Sequence, residues 1–293
     1  MGLLEYALIG GVLYGLFFGL VGIGLNLIFG VMRMINLAHG DLIMLGAFGA
    51  FWVYHLLGVS PMFGIPLEVI GFTIIGIPLY YLVVPRLLAT RDPEMLSFIL
   101  FFGLSQVIEA SAVLGFGNNQ RSVPGSTLGG GSVVIAGQSF PFAWVVAAGV
   151  SVVAILALYA YLYHSRFGYA TRAIMANRDE AQTAGINVHR ISAAAFVAGF
   201  CLAGLAGVFA PYMLGAIDPN MGVDLTTVSF AIVVIGSLGQ PLGTVIGGLV
   251  YGIATMLMQT YLPSWSNLLP YVLLIAIVLV KPSGLLGRRV RYA

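Results

Sequence analysis

Charge is what this sequence has least of. Only 8% of its 293 residues are Asp, Glu, Lys or Arg, whereas 60% are hydrophobic, and the mean hydropathy is +1.02. A soluble domain carries about 25% charged residues, so a water-facing surface cannot be built here and most of the exterior must face lipid. A transmembrane β-barrel would show strands of about ten residues alternating apolar and polar. Instead, stretches such as Val145–Leu162 and Leu268–Val280 stay apolar throughout. Helices satisfy their own backbone groups in hydrocarbon, and the expected fold class is all-α, a polytopic transmembrane helical bundle.

Other scarcities exclude chemistries. There is one lysine, Lys281, and proline follows it. A P-loop needs Gly-x-x-x-x-Gly-Lys-Ser/Thr, so the chain is not its own P-loop ATPase, and any ATP dependence must come from a partner. Cys201 is the only cysteine; it permits no intrachain disulfide and reads as a small buried hydrophobe. No His-Glu-x-x-His or paired-cysteine pattern exists. Neither a metal site, nor a cofactor, nor an enzyme activity is expected. Eleven arginines scattered among apolar runs offer no basic face to nucleic acid. The start, Met1-Gly2-Leu3-Leu4-Glu5-Tyr6, lacks the basic region of a cleaved leader.

What is present is a series of apolar runs near the ~20 residues a span requires. They fall near 8–29, 37–57, 67–84, 95–116, 142–163, 191–214, 244–261 and 268–280, with one shorter run at 225–238. This predicts about eight spans plus one short or re-entrant element, in a single transmembrane domain over 1–293. Arginine and lysine follow the first, third, fifth and last spans: Arg33; Arg86 and Arg91; Arg166, Arg172, Arg178 and Arg190; Lys281, Arg288, Arg289 and Arg291. Alternation puts all four groups on one side, with only Arg121 opposite. Cytoplasmic loops are enriched in such residues, so the N-terminus is expected outside and the C-terminus in the cytoplasm. Glycines recur at four-residue spacing, Gly11, Gly15 and Gly19, then Gly243 and Gly247. Such faces allow close helix approach, within the chain or at a subunit interface.

Polar groups inside spans are functional candidates. The knot Asn36-Leu37-Ala38-His39-Gly40-Asp41 is either a surface turn or an unwound break whose Asn36, His39 and Asp41 line a path. The short run 225–238 ends in Gly236-Ser237-Leu238-Gly239-Gln240-Pro241, a broken segment of the kind that marks a transporter's binding region. One knot lies early and the other late, which suggests two related halves. Glu109, on the same helix face as Gln106, either bonds a neighbouring span or touches solute.

The segment 165–191 is too long for a turn and too patterned for a linker. Asn177 is placed to cap a short helix with Asp179 and Glu180 in its first turn, and Gly185 to end it. Ala181 and Ala184 would form a small apolar face for a partner's groove. The pattern Glu180-Ala181-x-x-x-Gly185-Ile186 resembles the coupling loop of ABC importer permeases. Together with Gly24-Leu25-Asn26, Asn36-Leu37-Ala38-His39-Gly40-Asp41, Pro219-Asn220-Met221-Gly222 and Ile235-Gly236-x-Leu238-Gly239, the whole chain resembles the branched-chain amino-acid (high-affinity) ABC permease family.

That resemblance implies a bacterial inner-membrane protein working with ATP-binding subunits, a second homologous permease and an extracytoplasmic solute-binding protein. Arg172, Asn177, Asp179, Glu180, Ala181, Ala184 and Gly185 would form its coupling loop. The solute would be a branched-chain amino acid, an amide, urea or an aromatic carboxylate. The alternative, an ion-coupled secondary transporter, would need Asp41 and Glu109 as coupling groups. A channel would need a filter, and none is evident.

Overall fold

The structure is a computed structural model and describes residues 2–287. Among these, eight helices are long and apolar enough to cross a bilayer, and a ninth apolar helix is shorter. In chain order the elements are α1 (Gly2–Met32), α2 (His39–Leu57), α3 (Ile65–Leu88), α4 (Pro93–Phe116), a hairpin of β1 (Ser132–Ile135) and β2 (Gln138–Pro141), α5 (Phe142–His164), the short α6 (Arg166–Ala176) and α7 (Arg178–Thr183), α8 (Val188–Leu214), α9 (Met221–Gly236), α10 (Pro241–Tyr261) and α11 (Leu269–Val280); the last span, Pro263–Val280, includes the helical turn before α11. The short run of the sequence is α9. Arg288, Arg289 and Arg291 lie outside the described residues.

Local chemistry sets the ends. Asp92 accepts from Met95 N at 3.1 Å and Pro93 follows it, a capped start for α4. Gly58, at φ +64, stops α2. At the centre is α1, packed along α10, α8 and α5. A Cβ added to Gly11 or Gly15 would sit 2.7 Å from the Cα of Ile253 or Leu249 of α10, and Gly248 and Gly252 close on the α1 backbone in return. Gly243 and Gly247 close on Gly236. Both small-residue faces are therefore used within the chain.

Side-chain contacts fix the directions. The Tyr14 hydroxyl donates to Met213 O, and Gly24 meets Gly199, so α8 runs antiparallel to α1. Phe72 meets Gly204 and Tyr80 meets Phe196, so α3 runs antiparallel to α8. These directions bring Arg33, Arg86, Arg91, the α6–α7 loop and Lys281 to one end of the bundle. Arg121 lies at the other, its guanidinium 5.0 Å from the Phe51 ring.

The helix entering α2 does not start at that arginine end. His39 Nε2 donates to Val21 O at 2.9 Å. Val21 lies eleven residues (32 less 21) before the end of α1, about 16 Å at 1.5 Å per residue. Residues 33–38 thus run back into the bundle, and the knot is an intramembrane break. A second break has the same construction. Arg33 and Gly215, the residues after α1 and α8, both have positive φ (52° and 90°). Asn36 Oδ1 accepts from Ala38 N at 3.1 Å, and Asp218 Oδ1 accepts from Asn220 N at 2.9 Å. Gly40 and Gly222 are each the second residue of the following helix. Each pair is 182 residues apart (33 to 215, 36 to 218, 40 to 222). Because α1 and α8 are antiparallel, the two units are inverted, and α3 packs on α8 as α10 packs on α1. The two halves suggested by the sequence exist, but the counterpart of the first knot is 215–222, not the turn at 236–243.

Candidate functional site

The two breaks meet at mid-depth. A Cβ on Gly40 would strike Gly222 O and Thr226 N, and one on Gly222 would strike the Asp41 carboxylate. Gly40 N donates to Thr226 Oγ1 at 2.9 Å, and that hydroxyl donates to Leu37 O at 3.0 Å. The N-termini of α2 and α9 therefore converge, and with them two sets of backbone N–H groups carrying partial positive charge. Asp41 lies in the first turn of α2 and Asp224 in the first turn of α9, where that field favours carboxylates.

Asn36, His39 and Asp41 are fully buried. Asn36 Nδ2, His39 Nδ1 and both Asp41 carboxylate oxygens have no partner among the described residues. With Nε2 donating to Val21, His39 in its neutral form presents Nδ1 as an acceptor. Such unpaired groups are costly in a low-dielectric interior, and they are the groups a polar solute or water would satisfy. Ser105 and Glu109 lie on α4 in the neighbourhood of Asp41.

Gly236 and Gly239 do not. They lie at the far end of α9, in a turn held by Asn26. Asn26 Nδ2 reaches Ser237 O at 3.1 Å, Gln240 O at 2.9 Å and Thr244 Oγ1, and Asn26 Oδ1 accepts from Gly239 N at 2.5 Å. Gly239 is at φ +75, and Gly236 is pressed against Gly243. Their geometry is that of a locked hairpin between α9 and α10.

At the arginine end, α6 and α7 form a folded loop. Ser165 Oγ accepts from Gly168 N at 2.9 Å and donates to Tyr161 O at 2.7 Å, turning the chain sharply from α5 into α6. Arg172 Nε donates to Leu162 O at 3.0 Å, and its guanidinium lies 4.3 Å from the Tyr163 ring and 4.9 Å from that of Tyr169. Asn177 Oδ1 accepts from Asp179 N and Glu180 N at 3.1 and 3.3 Å, while Asn177 Nδ2 donates to Glu180 Oε1 at 2.7 Å. Gly185, at φ +83, ends the helix as its position in the sequence predicts. The expected alanine face is corrected, however. Ala181 is buried, and its carbonyl accepts from Ile186 N as the chain folds back. The exposed residues are Asp179, Glu180, Gln182, Thr183 and Ala184.

The family described as "Branched-chain amino acid transport system / permease component" matches residues 7–278. The chain belongs to this family. Among this permease's relatives, the high-affinity branched-chain amino acid transport system permease protein LivH of Salmonella typhimurium is 30% identical over 95% of the chain and 94% of its own length. LivH of Escherichia coli K12 is 30% identical over the same shares. BraD of Pseudomonas aeruginosa, another permease of that description, is 27% identical over 96% of the chain and 95% of its own length. No solved structure matches the permease. Its relatives are transport permeases and not enzymes.

The sequence alone assigns no role to Thr226 or Asp218, and Asn26 appears there only within a family motif. Thr226 ties α9 to the first break, Asp218 repeats the turn chemistry of Asn36, and Asn26 locks the hairpin at the other end of α9. The recurrence of Ile-Asn/Asp-x-x-x-Gly at 35–40 and 217–222 was the available signal.

Proposed function

We propose that the permease is the membrane-spanning subunit of an ATP-driven ABC importer in a bacterial inner membrane. The observation that carries this is the α6–α7 loop, a folded, surface-exposed element anchored rigidly to α5 in a chain with no P-loop of its own. ATP-binding subunits would dock there, with the arginine end cytoplasmic. That orientation leaves the N-terminus outside and the C-terminus inside. A second homologous permease would complete the pathway, and an extracytoplasmic solute-binding protein would deliver at the other end.

The solute would be a branched-chain amino acid, as the relatives' names suggest. Its carboxylate suits the converging helix N-termini, and its ammonium suits Asp41. Asn36, His39, Asp41 and Glu109 would line the route, and Asp179 with the exposed side of α7 would meet the ATPase. An ion-coupled carrier remains the second reading because Asp41 is a buried, unpaired acid.

The test is uptake in proteoliposomes containing the full complex. Asn36→Leu and Asp41→Leu are expected to cut transport at least tenfold while the complex still assembles. Uptake by this chain alone, driven by an ion gradient without ATP-binding subunits, would establish the second reading instead.

A further inference from the structure

The isoleucine amide of each break is held by the same neighbour. Ile35 N donates to Ser97 Oγ at 3.2 Å, near the start of α4. Ile217 N donates to Arg121 O at 2.8 Å, just beyond the end of α4, and Arg121 N donates back to Ile217 O at 2.9 Å. Ile35 and Ile217 are themselves counterparts, 182 residues apart (217 less 35). Helix α4 belongs to neither inverted unit, yet with the loop after it α4 clasps both breaks. The first break enters from the arginine end and the second from the opposite end, so one clasp lies on the approach from each side.

The two clasps are built differently. Ser97 is fully buried within α4, one turn after the Asp92 cap, and its hydroxyl also donates to Glu94 O at 2.7 Å. It cannot leave Ile35 unless the helix moves. Arg121 instead sits in 117–131, a mostly exposed strap between α4 and β1. The strap begins at Gly117 (φ +77) and ends at Gly129 and Gly131 (both φ +106), conformations that glycine adopts without strain. A Cβ at Gly117 or Gly131 would meet nothing within 4 Å, so both ends have room to turn.

Between those ends the strap lies along the second break and the end of α8. Asn118 Oδ1 accepts from Asn220 Nδ2 at 3.4 Å, and the hydroxyls of Thr127 and Tyr212 are 2.6 Å apart. The Arg121 guanidinium lies 5.0 Å from the Phe51 ring and 5.5 Å from that of Trp52, and donates to Phe116 O. Under the strap Ile217 is fully buried, and Gly222, a few residues on, meets Asp41 where the breaks converge.

We propose that 117–131 is an outer latch, a strap that shuts the second break by pairing Arg121 with Ile217 and swings off it on its glycine ends in each transport cycle. The proposal rests on the importer reading above, in which solute arrives at this end. Lifting the strap frees the Ile217 amide and carbonyl and uncovers the arm that leads to Gly222 and Asp41. Ser97, fixed in α4, keeps the first break closed on the other side while the latch works. A hinged loop that covers a site and is fastened by a few hydrogen bonds is a common form of such a gate.

The test uses the complete transporter in proteoliposomes, with Cys201→Ser as background. Asn118→Cys with Asn220→Cys is joined by a short, reducible bis-methanethiosulfonate. Val134→Cys with Ser139→Cys, paired across the neighbouring hairpin, is the control. Joining 118 to 220 is expected to cut ATP-driven uptake at least tenfold, with recovery on reduction, and joining 134 to 139 to leave it unchanged. Full uptake by the joined 118–220 protein would overturn the proposal, as would failure of that pair to join in the resting complex. A loss that reduction does not reverse, or an equal loss in the hairpin pair, would also count against it. In the wild-type complex, turnover should raise amide exchange across 215–220 at least tenfold over the resting state, and no rise would contradict a swinging strap. Absence of ATP-driven uptake before any crosslinking would defeat the importer reading itself, an outcome separate from a strap that never lifts.

Discussion

Gly40 and Gly222 are where single atoms matter most. Each meets the other's helix so closely that a methyl group has nowhere to go: at Gly40 the obstacle is the backbone of Gly222 and Thr226, which cannot rotate aside, and at Gly222 it is the buried Asp41 carboxylate. Overpacking of this kind costs about 1–3 kcal/mol. Gly40→Ala and Gly222→Ala are each expected to lower the melting temperature of the detergent-solubilised protein by several degrees. Gly149 on α5 is the control, because a Cβ there meets nothing within 4 Å, and Gly149→Ala should leave the midpoint unchanged or slightly higher. Equal losses at all three sites would show that the breaks are no tighter than the rest of the bundle. None of this crowding is visible in the sequence, where thirty-nine glycines look alike. Which of them are pinched depends on neighbours some 180 residues away.

At the scale of elements, the α6–α7 loop divides its work between holding and presenting. Arg172, expected from the sequence to belong to the docking surface, is committed to Tyr163, Tyr169 and Leu162 O. Glu180 is committed to the Asn177 cap. Both acids of α7 are exposed, and Asp179 is the one whose side chain has no hydrogen-bond partner among the described residues. Asp179→Arg should therefore weaken ATP-binding-subunit docking without disturbing the fold. Arg172→Ala should instead loosen the loop, raising hydrogen exchange across α6 while the ATPase still binds. Docking that survives Asp179→Arg undiminished would move the contact elsewhere. The spans were legible because apolar runs of the required length have few other uses. The short α9 was legible because it fell below that length. The depth of the first break was not, because it is set by a bond from His39 to the carbonyl of Val21. A polar hexapeptide reads the same at the surface and in the interior.

For the whole molecule, the inverted pair of breaks and the gathered arginines make a definite orientation testable. With Cys201→Ser as background, a cysteine at Ser126, in the loop between α4 and β1, should react with a membrane-impermeant maleimide in intact cells. One at Thr183 on α7 should react only after permeabilisation. The opposite pattern would reverse the permease and detach the α6–α7 loop from any cytoplasmic ATPase.

The packing of α1 also sets a timetable. Its closest neighbour is α10, and the hydrogen bonds of Asn26 are to residues 237–244. Roughly 200 residues separate these partners. At about 5–20 residues per second of synthesis, α1 waits some ten to forty seconds for them. During that interval its glycine face and a buried-to-be asparagine lack their partners, so α1 is completed only once α10 has been made. The nascent chain therefore depends on whatever shields α1 until α10 arrives.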